Sequence, residues 1–324
     1  MKLIKFIISA ALTILLVYAA DRGSGTLPPI GHFMSPQTGF WQNDQSESPE
    51  TKLNLSGLQS EVTVHYDSEL IPHVFAQNDS DLYYAQGYIT AKHRLWQMEF
   101  QTYAAAGRLS EIIGKKAIEY DRGQRRKGMV FGAQNAINEM LKDPILTKRL
   151  KAYSDGVNAY IESLDSEEYP VEYKLLGYAP EKWKPEKSAL LLMYMTDMLA
   201  GRDEDLENTN FLSLFGRETF DLLFPDFIAD QDPVIPRERD WTDFGAVERP
   251  ESPEGVFKAI VQTTDVLDKP DPDNGSNNWA VNAEHSENGN PLLANDPHLG
   301  LNLPSIWYVM QLSAPDHNVM GATL

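Results

Sequence analysis

Cysteine is absent from the 324 residues of this chain, and with it go thiol catalysis, disulfide bonds and cysteine-ligated zinc. The absence leaves the compartment open, because an exported protein can also do without cysteine. Positive charge is scarce: 28 Lys and Arg stand against 47 Asp and Glu, a formal net charge of −19. Duplex nucleic acid and anionic membrane surfaces are both bound through cationic side chains, so neither is an expected partner. The acidity needs no partner to explain it, since a net charge far from zero keeps a protein soluble. Several catalytic strings are missing too. There is no Gly-x-Ser-x-Gly, no His-Glu-x-x-His, no phosphate loop and no Gly-x-Gly-x-x-Gly. The seven histidines are not closely paired, which argues against a histidine-rich metal site. Internal repeats are absent, and after the first twenty residues no apolar run approaches the length of a membrane helix.

The remaining composition, 42% apolar and 10% aromatic, is that of a packed globular protein with room for one large domain or two small ones. Residues 1–20 differ in kind. Lys2 and Lys5 precede an apolar run from Phe6 to Ala20 that ends in Val17-Tyr18-Ala19-Ala20. A charged start, an apolar stretch and a small-residue exit are the order of a secretory signal peptide. The alternative is an uncleaved anchor, for which the run is slightly short. The expectation is therefore a secreted or periplasmic protein with no stable membrane insertion once the signal is removed.

Residues 21–50, rich in Gly, Pro, Ser and Asn, read as irregular. Val62 to Asp67 alternates like a strand, and Pro72 interrupts a second short strand running through Val74 and Phe75. A long helix is expected from Ser80 and Asp81, with Leu82, Ala85, Ile89, Trp96 and Phe100 on one face. Further helices are expected over 132–142, 145–164, 186–200 and 206–215, punctuated by Pro144 and Pro170. The stretch 229–275 combines many prolines with acidic residues and reads as a poorly packed spacer. Strands follow at 278–281, 291–294 and 306–310. The domain reading is thus a mainly helical region over 21–228, the spacer over 229–275 and a strand-forming region over 276–324, in an α+β fold.

One string carries chemistry: Asp273-Asn274-Gly275-Ser276-Asn277-Asn278-Trp279. Alone it is a turn, for which Asn-Gly is a strong signal. In context it is similar to the processing site of the penicillin acylase family, where Ser-Asn-x-Trp opens a second subunit. Asn295-Asp296-Pro297-His298-Leu299, Pro304, Trp307 and Tyr308 continue the resemblance. Upstream, Asp81 to Tyr88, Arg94 to Met98, Gly107 to Glu111, Tyr153 to Tyr160, and Leu175-Leu176-Gly177 with Pro180 to Trp183 resemble the family's first subunit. The blocks cover roughly 55–225 and 274–324 in the expected order. The family's second subunit runs several hundred residues beyond its serine, so the chain reads as the N-terminal part of such a protein, its second-subunit segment truncated.

The resemblance implies an N-terminal-nucleophile hydrolase: an αββα sandwich, incomplete here, around which a helical first subunit wraps. It implies self-cleavage of Gly275–Ser276, with Ser276 then acting as nucleophile and its freed α-amine as base. The expected substrate is an N-acyl amide, of a β-lactam or of an acyl-homoserine lactone, and the partner is the chain's own second subunit. His298 falls where some members place a histidine beside the nucleophile's amine; the alternative is a structural histidine capping a turn. Leu299, Met198, Leu199 and Arg202 fall where the family lines its acyl pocket, with helix core the alternative for Met198 and Leu199. No cofactor is implied for the chemistry. Glu207 resembles a glutamate that ligates structural calcium in some members, and a solvated helix glutamate is the alternative. Trp279 is expected in the core, with Asn277 ordering the strand entrance. Two rival readings stay open: a hydrolase whose Ser276 is not processed, and a secreted, non-catalytic relative that binds small molecules.

Overall fold

The computed structural model describes residues 2–22, 29–43, 52–200, 204–225 and 275–324. Arg202 and the spacer, apart from Gly275, lie outside these residues. The chain forms two units, one of 1–199 with 275–324 and the other of 200–274. The class is α+β and rich in helix, as expected.

In the first unit α1 (Lys2–Ala20) carries the N-terminal apolar run and buries none of its residues. It is long and apolar enough to cross a membrane, a test that a signal sequence also passes. The organising element is α2 (Asp79–Ala106). It opens at Asn78, two residues ahead of the expected start, because the Asn78 side chain accepts the Asp81 N–H at 3.0 Å. It closes at Gly107, whose positive φ of 64° suits a residue without Cβ and lets its N–H bond back to the carbonyls of Tyr103 and Ala104.

α2 is buried on two sides. Leu82, Ala85 and Ile89 pack with Val74, Ala76 and Met310 of a sheet. Ala91, Leu95 and Met98 pack with Val157, Tyr173 and Trp183. The expected stripe is therefore half of a wider apolar surface. Trp96 and Phe100 of that stripe are only half-buried and stack on each other, with ring centroids 4.6 Å apart. Against α2 lies α6 (Pro144–Ser163), and Gly87 and Gly156 meet at their crossing. A Cβ on Gly156 would fall 1.9 Å from the Tyr84 carbonyl oxygen, and one on Gly87 would fall 2.1 Å from that of Tyr153. Only glycine allows the two backbones this approach.

Between them run α3 (Ser110–Ile113), α4 (Ile118–Lys127) and α5 (Met129–Met140); after α6 come α7 (Val171–Leu176) and α8 (Pro185–Ala200). Helices α3, α4 and α7 are additional to the sequence expectation. Two prolines begin helices where separators were expected. Pro144 is the first residue of α6, capped by Asp143, and Pro170 is the N-cap of α7.

Glu99 is buried on α2 and accepts three charge-assisted or polar bonds: from Tyr173 Oη at 2.7 Å, the Glu181 N–H at 2.8 Å and Lys187 Nζ at 2.9 Å. Glu181 in turn accepts from Arg108, at 2.8 Å for the shorter contact, and the Arg108 guanidinium is the main reason its carboxyl is held down to about 2.

The sheet runs β1 (Thr63–Tyr66), β2 (Pro72–Phe75), β5 (Tyr308–Ala314), β6 (His317–Thr323), with β1–β2 and β5–β6 antiparallel and β2–β5 parallel. Pro72 is the buried first residue of β2 and does not interrupt it. β6 was not anticipated. Separately, β3 (Ser276–Val281) and β4 (Leu292–Pro297) form a two-stranded antiparallel ladder. Trp279, expected in the core, is 57% exposed, because β3 pairs only with β4 among the described residues.

In the second unit the described element is α9 (Glu204–Leu223), which bends at Gly216, φ 77°. Phe211 gathers Phe215, Phe220 and Phe224 around it, with ring centroids 4.7 to 6.2 Å away.

Candidate active site

Strand β3 begins at Ser276 and β4 ends at Pro297, and these two residues are paired in the ladder, with Asn277 opposite Asp296. The ladder therefore places the residue before Ser276 beside the residue after Pro297. The His298 N–H donates to the Gly275 carbonyl oxygen at 3.1 Å. The His298 ring lies on the same side: a Cβ on Gly275 would be 3.9 Å from Nδ1. With no Cβ at Gly275, the approach to its carbonyl carbon stays open. Gly275 and Ser276 are both exposed.

Alternation along a strand puts Asp296 and His298 on one face, with Asn277 across from Asp296 on that same face. His298 Nε2 is 2.8 Å from Asp296 Oδ2, and Asn277 Nδ2 stands 3.4 Å from the same ring nitrogen. A carboxylate can only accept, so Nε2 carries the proton in the 2.8 Å contact. Leu299 follows, half-buried. The chain after it is anchored on α2: Gln97 Nε2 donates to the Ser305 carbonyl at 2.9 Å, His93 Nδ1 meets Tyr308 Oη, and the Arg94 guanidinium lies 5.7 Å from the centroid of the Tyr308 ring. Burial pushes the Tyr308 hydroxyl pKa up, so it remains a neutral donor or acceptor.

Of the residues singled out in the sequence, the structure brings Gly275 and His298 into contact, with Ser276 next to them on the ladder and its side chain on the alternate face. Met198 and Leu199 end α8, and both side chains are exposed, at 37% and 63%. Glu207 is exposed on α9. Calcium requires six or more oxygen ligands, and no cluster of three or more His, Asp or Glu side chains able to hold a metal occurs among the described residues. These residues do not by themselves make a calcium site. Asp296 is not among the residues that the sequence singles out. Its signal was there: a carboxylate two residues before a histidine, on a segment that reads as a strand, shares the histidine's face.

Comparison with known proteins identifies the family. Residues 61–324 match the profile of the penicillin amidase family. The chain is 29% identical over 273 residues to the acyl-homoserine lactone acylase QuiP of Pseudomonas aeruginosa, a match covering 83% of this chain and 31% of that protein. It is 32% identical over 281 residues to the penicillin acylase 2 proenzyme of Pseudomonas sp. strain SE83, covering 84% of this chain and 34% of that one. It thus spans about a third of the length of these curated relatives. A solved thermostable penicillin G acylase from Alcaligenes faecalis is 23% identical, with a TM-score of 0.44, over 59% of this chain and 98% of that chain. With its profile matched from residue 61 through the helical region to the last strand, the chain belongs to the penicillin amidase family.

Proposed function

We propose that this protein is an amidohydrolase that cleaves its own Gly275–Ser276 bond and then hydrolyses N-acyl amides with Ser276 as N-terminal nucleophile. The observation that carries the reading is the state of that bond. Its carbonyl oxygen already accepts an N–H, from His298 at 3.1 Å, and its carbon is flanked by a residue with no side chain. A donor aimed at an oxygen that becomes negative as the carbonyl is attacked is the electrostatic help acyl transfer needs.

In self-cleavage the Ser276 Oγ attacks the Gly275 carbonyl carbon, the C–N bond breaks, and the hydroxyl proton passes to the departing nitrogen of Ser276. Water then opens the ester, leaving a Gly275 carboxylate and a free α-amine. That amine has an ordinary pKa of about 8 and serves as base for the second reaction. It takes the proton from Oγ as Oγ attacks the substrate amide and passes it to the leaving amine. Water hydrolyses the acyl-enzyme ester. The chemistry needs no cofactor. Leu299, Met198 and Leu199 are the candidates for the acyl pocket among the described residues, and the relatives' names point to penicillins or acyl-homoserine lactones as the substrate class.

The cut would leave two pieces held together. β2 precedes the cut and β5 follows it, and they pair directly, His73 with Gln311 through Phe75 with Ser313. Val74 and Met310 share one core cluster with α2. A processed heterodimer over an αββα core follows from this reading, with residues 229–275 as the spacer. The α1 run supports a signal peptide and a periplasmic or secreted site of action.

The test is Ser276→Ala in the full-length protein. We expect a single unprocessed chain on a denaturing gel and turnover lower by up to about a million-fold, the usual scale for loss of a nucleophile. Ser276→Cys should still be cut, since a thiol can attack Gly275, but should hydrolyse amides poorly. A Ser276→Ala protein that matures and works at the wild-type rate would refute the mechanism.

A further inference from the structure

We infer that Asp296 is a positioning residue: it holds the His298 imidazole with Nε2 protonated, so that the lone pair on Nδ1 faces the Gly275–Ser276 junction. This rests on the reading of Ser276 as nucleophile. A neutral imidazole carries one proton and one lone pair, and whichever nitrogen is held as donor leaves the other as acceptor. The 2.8 Å contact from Nε2 to the Asp296 carboxylate fixes the donor. Asn277, 3.4 Å from the same nitrogen, flanks that edge, but a single N–H follows the shorter contact to the charged oxygen. The acceptor is then Nδ1, the nitrogen nearer to Gly275. From there it receives a hydrogen bond from the α-amine released at Ser276, orienting that amine's own lone pair toward the nucleophile's hydroxyl.

Two features set this pair apart from a surface ion pair. The strand delivers both side chains to one face at the cut, and β4 is locked in register by pairing from Ser276–Pro297 to Val281–Leu292. The Asp296 side chain is 71% exposed, and an exposed pair contributes little to stability. If the contact mattered only to the fold, its loss would be almost silent.

The experiment compares Asp296→Ala and Asp296→Asn in the full-length protein, with phenylacetyl and decanoyl para-nitroanilides as probes and kcat and KM measured separately. Asp296→Ala should fold normally and lose about ten- to a hundredfold in kcat, the range expected for a misplaced catalytic group, with KM within about twofold of wild type. Asp296→Asn keeps an oxygen that accepts from Nε2–H and should recover most of the loss. An Asp296→Ala protein that does not mature overturns the assignment, because the amine that Nδ1 orients exists only after the cut. Wild-type kcat in Asp296→Ala, a change confined to KM, or equal losses in the two variants would each overturn the assignment. The underlying reading fails separately: an active Ser276→Ala removes the nucleophile, whereas an inactive Ser276→Ala beside a silent Asp296→Ala removes only the positioning role.

Discussion

Replacing Gly156 by Ala should destabilise the protein, although alanine is the better helix former. The reason is the crossing of α2 and α6. The new methyl carbon would stand 1.9 Å from the Tyr84 carbonyl oxygen and 3.0 Å from the Tyr88 nitrogen. Both are backbone atoms within α2, so neither can rotate away as a side chain would. Restoring an ordinary contact near 3.4 Å requires the helices to part by about 1.5 Å at that point. Val157 beside it is fully buried, so parting the helices opens the cluster it shares with Ala91, Leu95 and Tyr173. Overpacking of this kind costs about 1–3 kcal/mol and more where backbone must move, against a helix-propensity gain of about 1 kcal/mol. Backbone atoms on both sides put the cost at the upper end, so the net is a loss of about 2 kcal/mol, or roughly 4–8 °C in Tm for a domain of this size. Gly123 on α4 is the control. Nothing lies within 4 Å of its Cβ position, so Gly123→Ala should instead gain up to about 1 kcal/mol. Thermal unfolding by circular dichroism reads both, and the opposite signs are the prediction. A Gly156→Ala protein that melts at or above wild type would refute the close approach of the two helices.

Two further predictions concern charge. Lys187→Met removes one of the groups compensating the buried Glu99, leaving it Tyr173 and the Glu181 N–H; the expected loss is about 3–5 kcal/mol in chemical denaturation, and a change below 1 kcal/mol would show that the pair is not truly buried. His73 links β2 to β5 through Gln311 and also contacts Asp67, and these two acceptors, Gln311 first, raise its pKa above 6.5. The group is more easily protonated folded than unfolded, so its contribution is complete below pH 6.5 and is lost as pH rises through the raised value. Asp67 is shifted down from 3.8, chiefly by the Ile71 N–H, so its share is lost on acidification. Melting temperatures between about pH 5 and 8 should fall with rising pH in wild type and flatten in His73→Gln; parallel curves would exclude the link.

The sequence was most informative where local chemistry decides the outcome. The long helix was visible because its apolar residues recur with helical spacing, and Gly107 ends it as a residue able to take positive φ. The strand that follows the Gly-Ser junction was legible for the same reason, since its pattern lies within a few residues. Features that depend on distant partners were not. Gly87 and Gly156 lie in separate blocks, and nothing in either block alone says that their backbones touch. The same is true of the blocks Gly107–Glu111 and Pro180–Trp183, which meet through Arg108 and Glu181, and of Glu99, whose partners lie more than seventy residues away.

Trp279 marks the limit of reading burial from residue type. A tryptophan on a strand predicts a core only if a second layer covers that face, and on the β3–β4 ladder none of the described elements does so. Leu292 and Leu293 on β4 are exposed for the same reason. The ladder is nevertheless in register from Ser276 to Val281, because register depends on backbone pairing between neighbours. This separates two requirements that the sequence presents together. The geometry at Gly275, Ser276, Asp296 and His298 needs only the ladder, whereas an acyl pocket needs walls around it. On the proposed reading, the ladder sets the geometry at the junction, and Leu299, next along the chain from His298, is the adjacent candidate for the acyl pocket. Loss of Asp296 or His298 should accordingly register in kcat for every acyl group, while changes at Leu299 should register in which acyl group is accepted.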